Sequence, residues 1–248
     1  MSLQACAEIV RRGDPDRFLA AMAAPPAARR VLFPLYAFNV EVARAPWVAS
    51  EPMIGEMRLQ WWVDVLDEIA AGGPVRRHEV VDALAGVLDA EGAAVLRRLV
   101  ARRRWDLYAE PFADTEDFAD YLDATAGGLA WVAARGLGCR GGERAVRDIA
   151  WAGGLANWFL AIPVLEVRGR FPLVDGRPAA VAALAAEGLA RLARSPAPKP
   201  ARAAVLASWR AKPLLRQARR DPGRVAAGTL RQSEFARRLG LIVRSFAL

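Results

Sequence analysis

Three acids crowd one stretch of the sequence. Asp64, Asp67 and Glu68, in "DVLDE", stand at i, i+3 and i+4. On a helix that spacing can bring carboxylates to one face, where they could hold Mg²⁺. A wheel of about 100° per residue, however, turns Asp64 and Asp67 away from the apolar stripe of Ile54, Trp61, Val65 and Ile69. A solvated acidic face is the simpler reading. Arg58 falls in the middle of the same stripe, with Trp62 and Glu68 at its edges. An unpaired buried charge is very costly, so Arg58 must find either a structural partner or an anionic, phosphate-bearing ligand.

A second stretch, "LYAFNVEVARAPW", is apolar where chemistry would need acids. Leu32, Tyr36, Asn39, Ala43 and Trp47 share one side of its helix, Glu41 points to the opposite side and Arg44 to the flank. Asn39 is the polar exception, either a satisfied core amide or a contact to something in a cavity. In "WAGGLANWFLAIPVLEVRGRFPL" Gly153 and Gly154 permit close helix packing, and Glu166 is the one acid. In "YLDATAGGLA" the pair Gly127-Gly128 costs about 1 kcal/mol each against alanine in mid-helix, which suggests close backbone approach or room for a ligand. Cys6, Cys139 and His78 are too few and too scattered for a zinc site or a disulfide framework.

The elements that must position these residues are helices. Alanine, leucine and arginine dominate, and β-branched runs bounded by turns are scarce, which predicts an all-α chain. Asp14 and Pro15 open a helix that stops at Pro25-Pro26. The next runs from about Ala27 to Ala45 and ends at Pro46. Ser50 caps a third, which ends at Gly72-Gly73. Further helices are expected near 78–90, 92–109, 116–137 (capped by Thr115) and 143–162, the last kinked or ended by Pro163. A loop over 168–178 precedes a helix to about Arg194. "SPAPKP" reads as a Pro-rich hinge over 195–200, and basic amphipathic helices follow at about 201–220 and 233–246. With no repeat and no second core evident, residues 1–248 read as one domain.

The 248 residues are 54% hydrophobic and 25% charged, within the globular range. The net charge of +8 rests almost wholly on arginine, since Lys199 and Lys212 are the only lysines. Such a balance favours anionic partners such as a phospholipid surface, although a codon bias towards Arg and Ala would produce it too. The N-terminus lacks a secretory apolar region, and no apolar run reaches the ~18–20 residues of a membrane span. These readings place the protein in the cytoplasm, with peripheral attachment to the inner face of the cytoplasmic membrane as the variant. Scattered arginines and no recognised motif argue against nucleic acid.

Four segments, in order, resemble the squalene/phytoene synthase family. "LYAFNVEVARAPW" is similar to that family's "YAFCR..DD..D" helix, and "RLQWWVDVLDEI" to its "L..W...L" helix. "YLDATAGGLA" is similar to "Y....AG..G", and "GGLANWFLAIPVLEVRGRFPL" to "G.A.QL.NILRD...D..GR.YLP". The resemblance spans about residues 10 to 195. It implies an all-α isoprenoid-synthase fold around a central cavity, in which two aspartate-rich motifs hold Mg²⁺ and the metal binds a prenyl diphosphate. This chain departs from the pattern at those motifs. The first pair of aspartates falls at Ala43 and Trp47 with Arg44 between, and the second near Leu165 and Gly169 with Glu166 alongside.

"AFNVEVA" followed by "IGEMRLQWW" resembles a branch of the family that shares this loss and is implicated in assembling respiratory complex I. Asn39, Glu41, Ile54, Gly55, Met57, Arg58, Gln60 and Trp62 carry that likeness. The resemblance implies a non-catalytic protein with no cofactor, whose partners are complex I subunits or assembly intermediates, at the membrane; the basic C-terminal helices fit an anionic lipid surface or an acidic partner. Two alternatives stay open. One is a Mg²⁺-dependent prenyl-diphosphate transferase using Asp64, Asp67, Glu68 or Asp123 as substitute ligands. The other is a prenyl-lipid binding protein. Candidate cavity or ligand contacts are Tyr36, Asn39, Ala43, Trp47, Arg58 and Trp61, together with Trp62, Tyr121, Gly127, Trp158 and Glu166. No residue is assigned a catalytic role.

Overall fold

A computed structural model describes residues 2–48, 51–194 and 196–246. Helices α1 (Ser2–Gly13), α2 (Pro15–Ala23), α3 (Arg29–Val48) and α4 (Pro52–Ala71) form the first half, with α5 (Val81–Ala85) and α6 (Ala90–Arg103) closing it. α7 (Thr115–Leu122) runs through a π-helical turn over Asp123–Gly127 into α8 (Gly128–Gly136). The long α9 (Glu143–Val167) and α10 (Pro178–Arg194) follow. The chain then breaks into α11 (Arg202–Val205), α12 (Ala211–Arg220), α13 (Gly223–Ala226) and α14 (Glu234–Ser245). No strand occurs among the described residues. The chain is all-α, as its composition predicts.

Buried apolar side chains gather in two large clusters and one small one. The first cluster centres on Leu32, Tyr36, Phe38, Leu59, Trp62 and Leu99, the second on Phe118, Tyr121, Trp151, Trp158, Phe159 and Leu214. α9 bridges them, giving Val146 and Ala150 to the first and Trp151 through Leu165 to the second. By length and apolar composition α9 could cross a membrane, against the expectation that no segment could, but most of its apolar window is buried inside the fold. It is a core helix.

Several boundaries differ from the sequence reading. α1 was not expected; it buries only Cys6 and Val10, too thin a stripe to announce a helix. α3 does not stop at Pro46 and α9 does not stop at Pro163, since both helices run through their prolines. Asp114, not Thr115, caps α7, its side chain accepting from the backbone N–H of Asp117 at 2.8 Å. Ser50 lies outside the described residues; Glu51 holds the N-cap position of α4 with no side-chain cap bond. The expected helix over 78–90 shrinks to α5, and that over 92–109 ends as a 3₁₀ turn at Arg104–Leu107. The basic helix expected over 201–220 is broken by 3₁₀ turns. Residues 168–177 form a loop before Pro178 opens α10, and of the 195–200 stretch 196–198 are irregular while Lys199 and Pro200 enter a 3₁₀ turn; Ser195 lies outside the described residues.

The buried face of α4 is rotated from its predicted stripe. Gly55, Leu59, Trp62, Val65, Leu66 and Ile69 are buried, whereas Ile54 and Arg58 are exposed. Arg58 therefore escapes the cost of burial. It has no ion-pair or hydrogen-bond partner among the described residues.

Candidate functional site

A cavity of about 230 Å³ opens where α2, α3, α7, the π turn and α9 converge. From α3 come Asn39, Ala43 and Trp47; from α7, Tyr121 and Leu122; from the π turn, Thr125 and Ala126. α9 supplies Gly154, Asn157, Trp158, Ala161 and Leu165. The close meeting of α9 with the π turn depends on Gly154, where an added Cβ would stand 2.7 Å from the Cβ of Ala126. Gly153 lets Ser208 approach in the same way. A smaller void beside the cavity takes in Tyr36, whose hydroxyl donates to the carbonyl of Ala204 at 3.3 Å.

The wall is mostly apolar and aromatic, with one buried polar knot. Arg103 donates to Asp106 Oδ2 at 2.9 Å and to the hydroxyl of Tyr121 at 2.6 Å. Tyr121 in turn donates to Asp106 at 2.9 and 3.1 Å. Burial pushes the Tyr121 phenol up, and the negative Asp106 adds to this against the opposing pull of Arg103, so the hydroxyl stays protonated and can donate. Burial works against the charge of Arg103, but Tyr121 and Asp106 outweigh it and hold the guanidinium protonated. The amide of Asn39, 5% exposed, has no hydrogen-bond partner among the described residues and lines the cavity.

Trp47 stands at the mouth. The guanidinium carbons of Arg168 and Arg170 lie 4.6 and 5.3 Å from its ring centroid. Arg170 is also tied down by the carbonyl of Asp106 at 2.6 Å and by that of Tyr108. Cation–π contacts of this kind are worth about 0.5–1 kcal/mol at exposed sites. They fix the indole where the family pattern has a metal-binding aspartate.

The sequence candidates thus separate. Asn39, Ala43, Trp47, Tyr121 and Trp158 line the one cavity, and Leu165 faces them from α9. Trp61 and Trp62 do not fill the cavity. With Arg58 they line a surface groove of about 520 Å³ on the outer side of α3 and α4, with Glu41, Ala45, Ile54, Met57 and His78. Glu166 and Gly169 face a third hollow near Phe171 and Val225. Gly127 lines none of these spaces; a Cβ there would meet Asp123 Oδ1 at 2.9 Å. The Arg103–Asp106–Tyr121 knot went unseen in the sequence, where the i, i+3 spacing of Arg103 and Asp106 was its one local signal.

Mg²⁺ does not fit the donors present. Asp106 is the one acid on the cavity wall among the described residues, and Arg103 and Tyr121 occupy it. The substitute ligands lie elsewhere, each beside an arginine. Asp67 pairs with Arg97 at 3.0 Å, Glu68 with Arg76 and Asp123 with Arg147 at 3.0 Å. Asp64 accepts from Gln60 at 2.9 Å and lies 4.0 Å from Arg76. Among the described residues no three His, Cys, Asp or Glu side chains gather in a metal-holding group.

Comparison with known proteins places this geometry. The chain superposes on a dehydrosqualene synthase with a TM-score of 0.72 at 13% identity, covering 99% of this chain and 95% of that one. It superposes on the squalene synthase HpnC of Alicyclobacillus acidocaldarius with a TM-score of 0.60 at 20% identity, covering 99% and 92%. In sequence it is 26% identical to complex I assembly factor 6 of Bos taurus over 66% of this chain and 50% of that protein. For the Homo sapiens protein of the same name the identity is 26% over 64% and 48%. For the Drosophila melanogaster homolog it is 30% over 64% and 50%. The chain thus spans about half the length of these curated relatives. The pattern that defines squalene/phytoene synthases matches residues 10–236, nearly the whole chain. The chain belongs to the squalene/phytoene synthase family.

Proposed function

We propose that this protein is a non-catalytic member of its family that serves the assembly of respiratory complex I. The observation that carries the proposal is the cavity wall. Allylic diphosphates ionise when bound Mg²⁺ neutralises the leaving anion, and carboxylates must hold that metal. Here a methyl group at Ala43, an indole at Trp47 and an isobutyl group at Leu165 stand at those positions. Its relatives in cow, human and fly bear the name of complex I assembly factor 6. The positions on which the likeness to that branch rests also lie largely outside the cavity: Glu41, Ile54, Met57, Arg58 and Trp62 line the outer groove. This supports a role exercised at the surface on another polypeptide.

Deletion of the gene tests the proposal. The expected outcome is loss of assembled, active NADH:quinone oxidoreductase on a native gel, with carotenoid and hopanoid content unchanged. Normal complex I with depleted isoprenoids would overturn it in favour of synthesis.

One observation favours a second reading, carriage of a prenyl lipid. Asn39 brings an amide with no hydrogen-bond partner among the described residues to a wall it shares with apolar and aromatic side chains and with Arg17 and Asn157, as a site that orients a polar head group does. The cavity is smaller than the ~300–1,000 Å³ common for ligand pockets, so such a lipid would enter only in part. Mass spectrometry of lipid extracted from the purified protein would find a copurifying isoprenoid if this reading holds, and none if it does not.

A further inference from the structure

The last helix, α14, is bound to the body by one face and bare on the other. Ser233 caps it, accepting from the N–H of Ala236 at 3.2 Å. Its inner face is held by three side chains. Leu241 packs with Trp209, Leu206 and Ala20; Arg237 reaches Asp16; Arg244 donates to the carbonyl of Trp209. The outward face carries Phe235, Leu239, Ile242 and Phe246 at i, i+4, i+7 and i+11, a single straight stripe. They are 77%, 46%, 51% and 87% exposed. Val243 widens the stripe on one side and Arg238 borders it on the other. A helix packed normally would bury such a stripe. This one turns it to solvent.

The charge of the C-terminal segment points to what covers the stripe. Residues 199–246 hold twelve Lys or Arg and two acids, Asp221 and Glu234. That excess of ten exceeds the +8 of the whole chain, so the rest of the molecule is slightly acidic. A second copy of this chain would bring an equally basic surface to the same face and be repelled. An anionic bilayer is attracted, and it accepts an apolar stripe without needing a complementary shape. A hollow of about 460 Å³ beside α14 fits the same environment. Leu189, Leu192 and Leu206 line it, with Arg202, Lys212 and Arg244 as its cations. The indole N–H of the buried Trp209 lies there with no acceptor among the described residues.

From this juxtaposition of a bare apolar stripe and the chain's concentrated positive charge, we infer that α14 lies flat in the interface of an anionic phospholipid membrane. Phe235, Leu239, Ile242 and Phe246 enter the acyl boundary, while Arg238 and the arginines of the neighbouring turns meet the head groups. At ~1.5 Å per residue its twelve residues extend about 18 Å, too short to span a bilayer but enough to lie along one. The family pattern ends at residue 236, so all of α14 after its first turn is outside it. The inference also stands apart from the assembly role, because lipid binding is measured without complex I.

The test is co-sedimentation of the full-length protein with vesicles. One set is pure phosphatidylcholine; the other contains about one third phosphatidylglycerol. The protein is expected to bind the anionic vesicles and release them as salt rises. Phe235→Ser with Ile242→Ser is expected to weaken that binding about tenfold or more. Arg238→Glu is expected to weaken it about fivefold or more. Phe246→Ser, at the most exposed end of the stripe, guards against misfolding of the double variant and should weaken binding in the same direction. No binding to anionic vesicles, or binding that these variants leave unchanged, would overturn the inference. So would a dimer in solution that the double variant dissociates, because the stripe would then cover a second copy.

Discussion

Neutralising Asp106 would leave Arg103, whose side chain is only 20% exposed, without its counter-ion. Breaking a buried ion pair by removing one partner costs about 3–5 kcal/mol, because the remaining charge is uncompensated. Asp106→Asn is therefore expected to lower the unfolding free energy in urea by about 3 kcal/mol or more. Asp64→Asn, on a half-exposed carboxylate, should change it by no more than about 0.5 kcal/mol. A small effect at Asp106 would mean that the knot does not hold the cavity wall. Cys6 makes a second prediction. Burial, reinforced by the nearby Glu79, pushes its thiol up to about 11. The unfolded chain therefore loses the thiol proton first as pH rises. The stability linked to Cys6 is full below about pH 9 and declines towards pH 11. Thermal unfolding followed between those values should flatten in Cys6→Ala, and an unaltered slope would count against the burial. At this scale the sequence was legible where a family pattern fixed the register, as at Ala43, Trp47 and Leu165. It was silent about Asp106, because Tyr121, half of its hydrogen bonding, lies fifteen residues away.

Helices were legible where one apolar face was unambiguous. α4 was misread because apolar side chains surround its first turns. Met53, Ile54 and Met57 form one arc and Leu59, Trp62 and Leu66 another, and only packing against α3 and α6 decides which is buried. Pro46 reads as a stop, and Pro163 as a stop or a kink, because a proline removes one helix hydrogen bond and crowds the preceding turn. Burial outweighs that loss in α9, where Ile162 and Leu165 on either side of Pro163 are in the core. In α3 the stacking of Arg168 and Arg170 on Trp47 holds the turn after Pro46. The π turn left no sequence signal beyond Gly127-Gly128. Its packing gives a prediction for the element: Gly154→Val should force α9 off Ala126 and Leu122. A loss of about 1–3 kcal/mol is expected in thermal or urea unfolding, as for overpacked cores. An unchanged midpoint would mean that the helices do not meet as closely as described.

At the scale of the whole molecule, the fold is kept while the side chains at the family's aspartate positions are not. The backbone keeps the isoprenoid-synthase architecture closely enough to cover 95% of a dehydrosqualene synthase at 13% identity. Apolar patterning and small residues at helix crossings suffice for that, and they survive wide substitution. The positions of the family's aspartates tolerate no such exchange, because a carboxylate has no volume-matched apolar equivalent that binds a cation. The all-α class and the family were therefore readable from the sequence, whereas the outer groove and the bare face of α14 were not. Both depend on which apolar side chains remain unburied, and periodicity alone cannot tell a face packed in a core from one kept for a partner. The central claim, that this cavity does not ionise a prenyl diphosphate, is tested most directly by pyrophosphate release. The purified protein is incubated with farnesyl or geranylgeranyl diphosphate and Mg²⁺. The account predicts release no faster than in a protein-free control; Mg²⁺-dependent release above that background would contradict it.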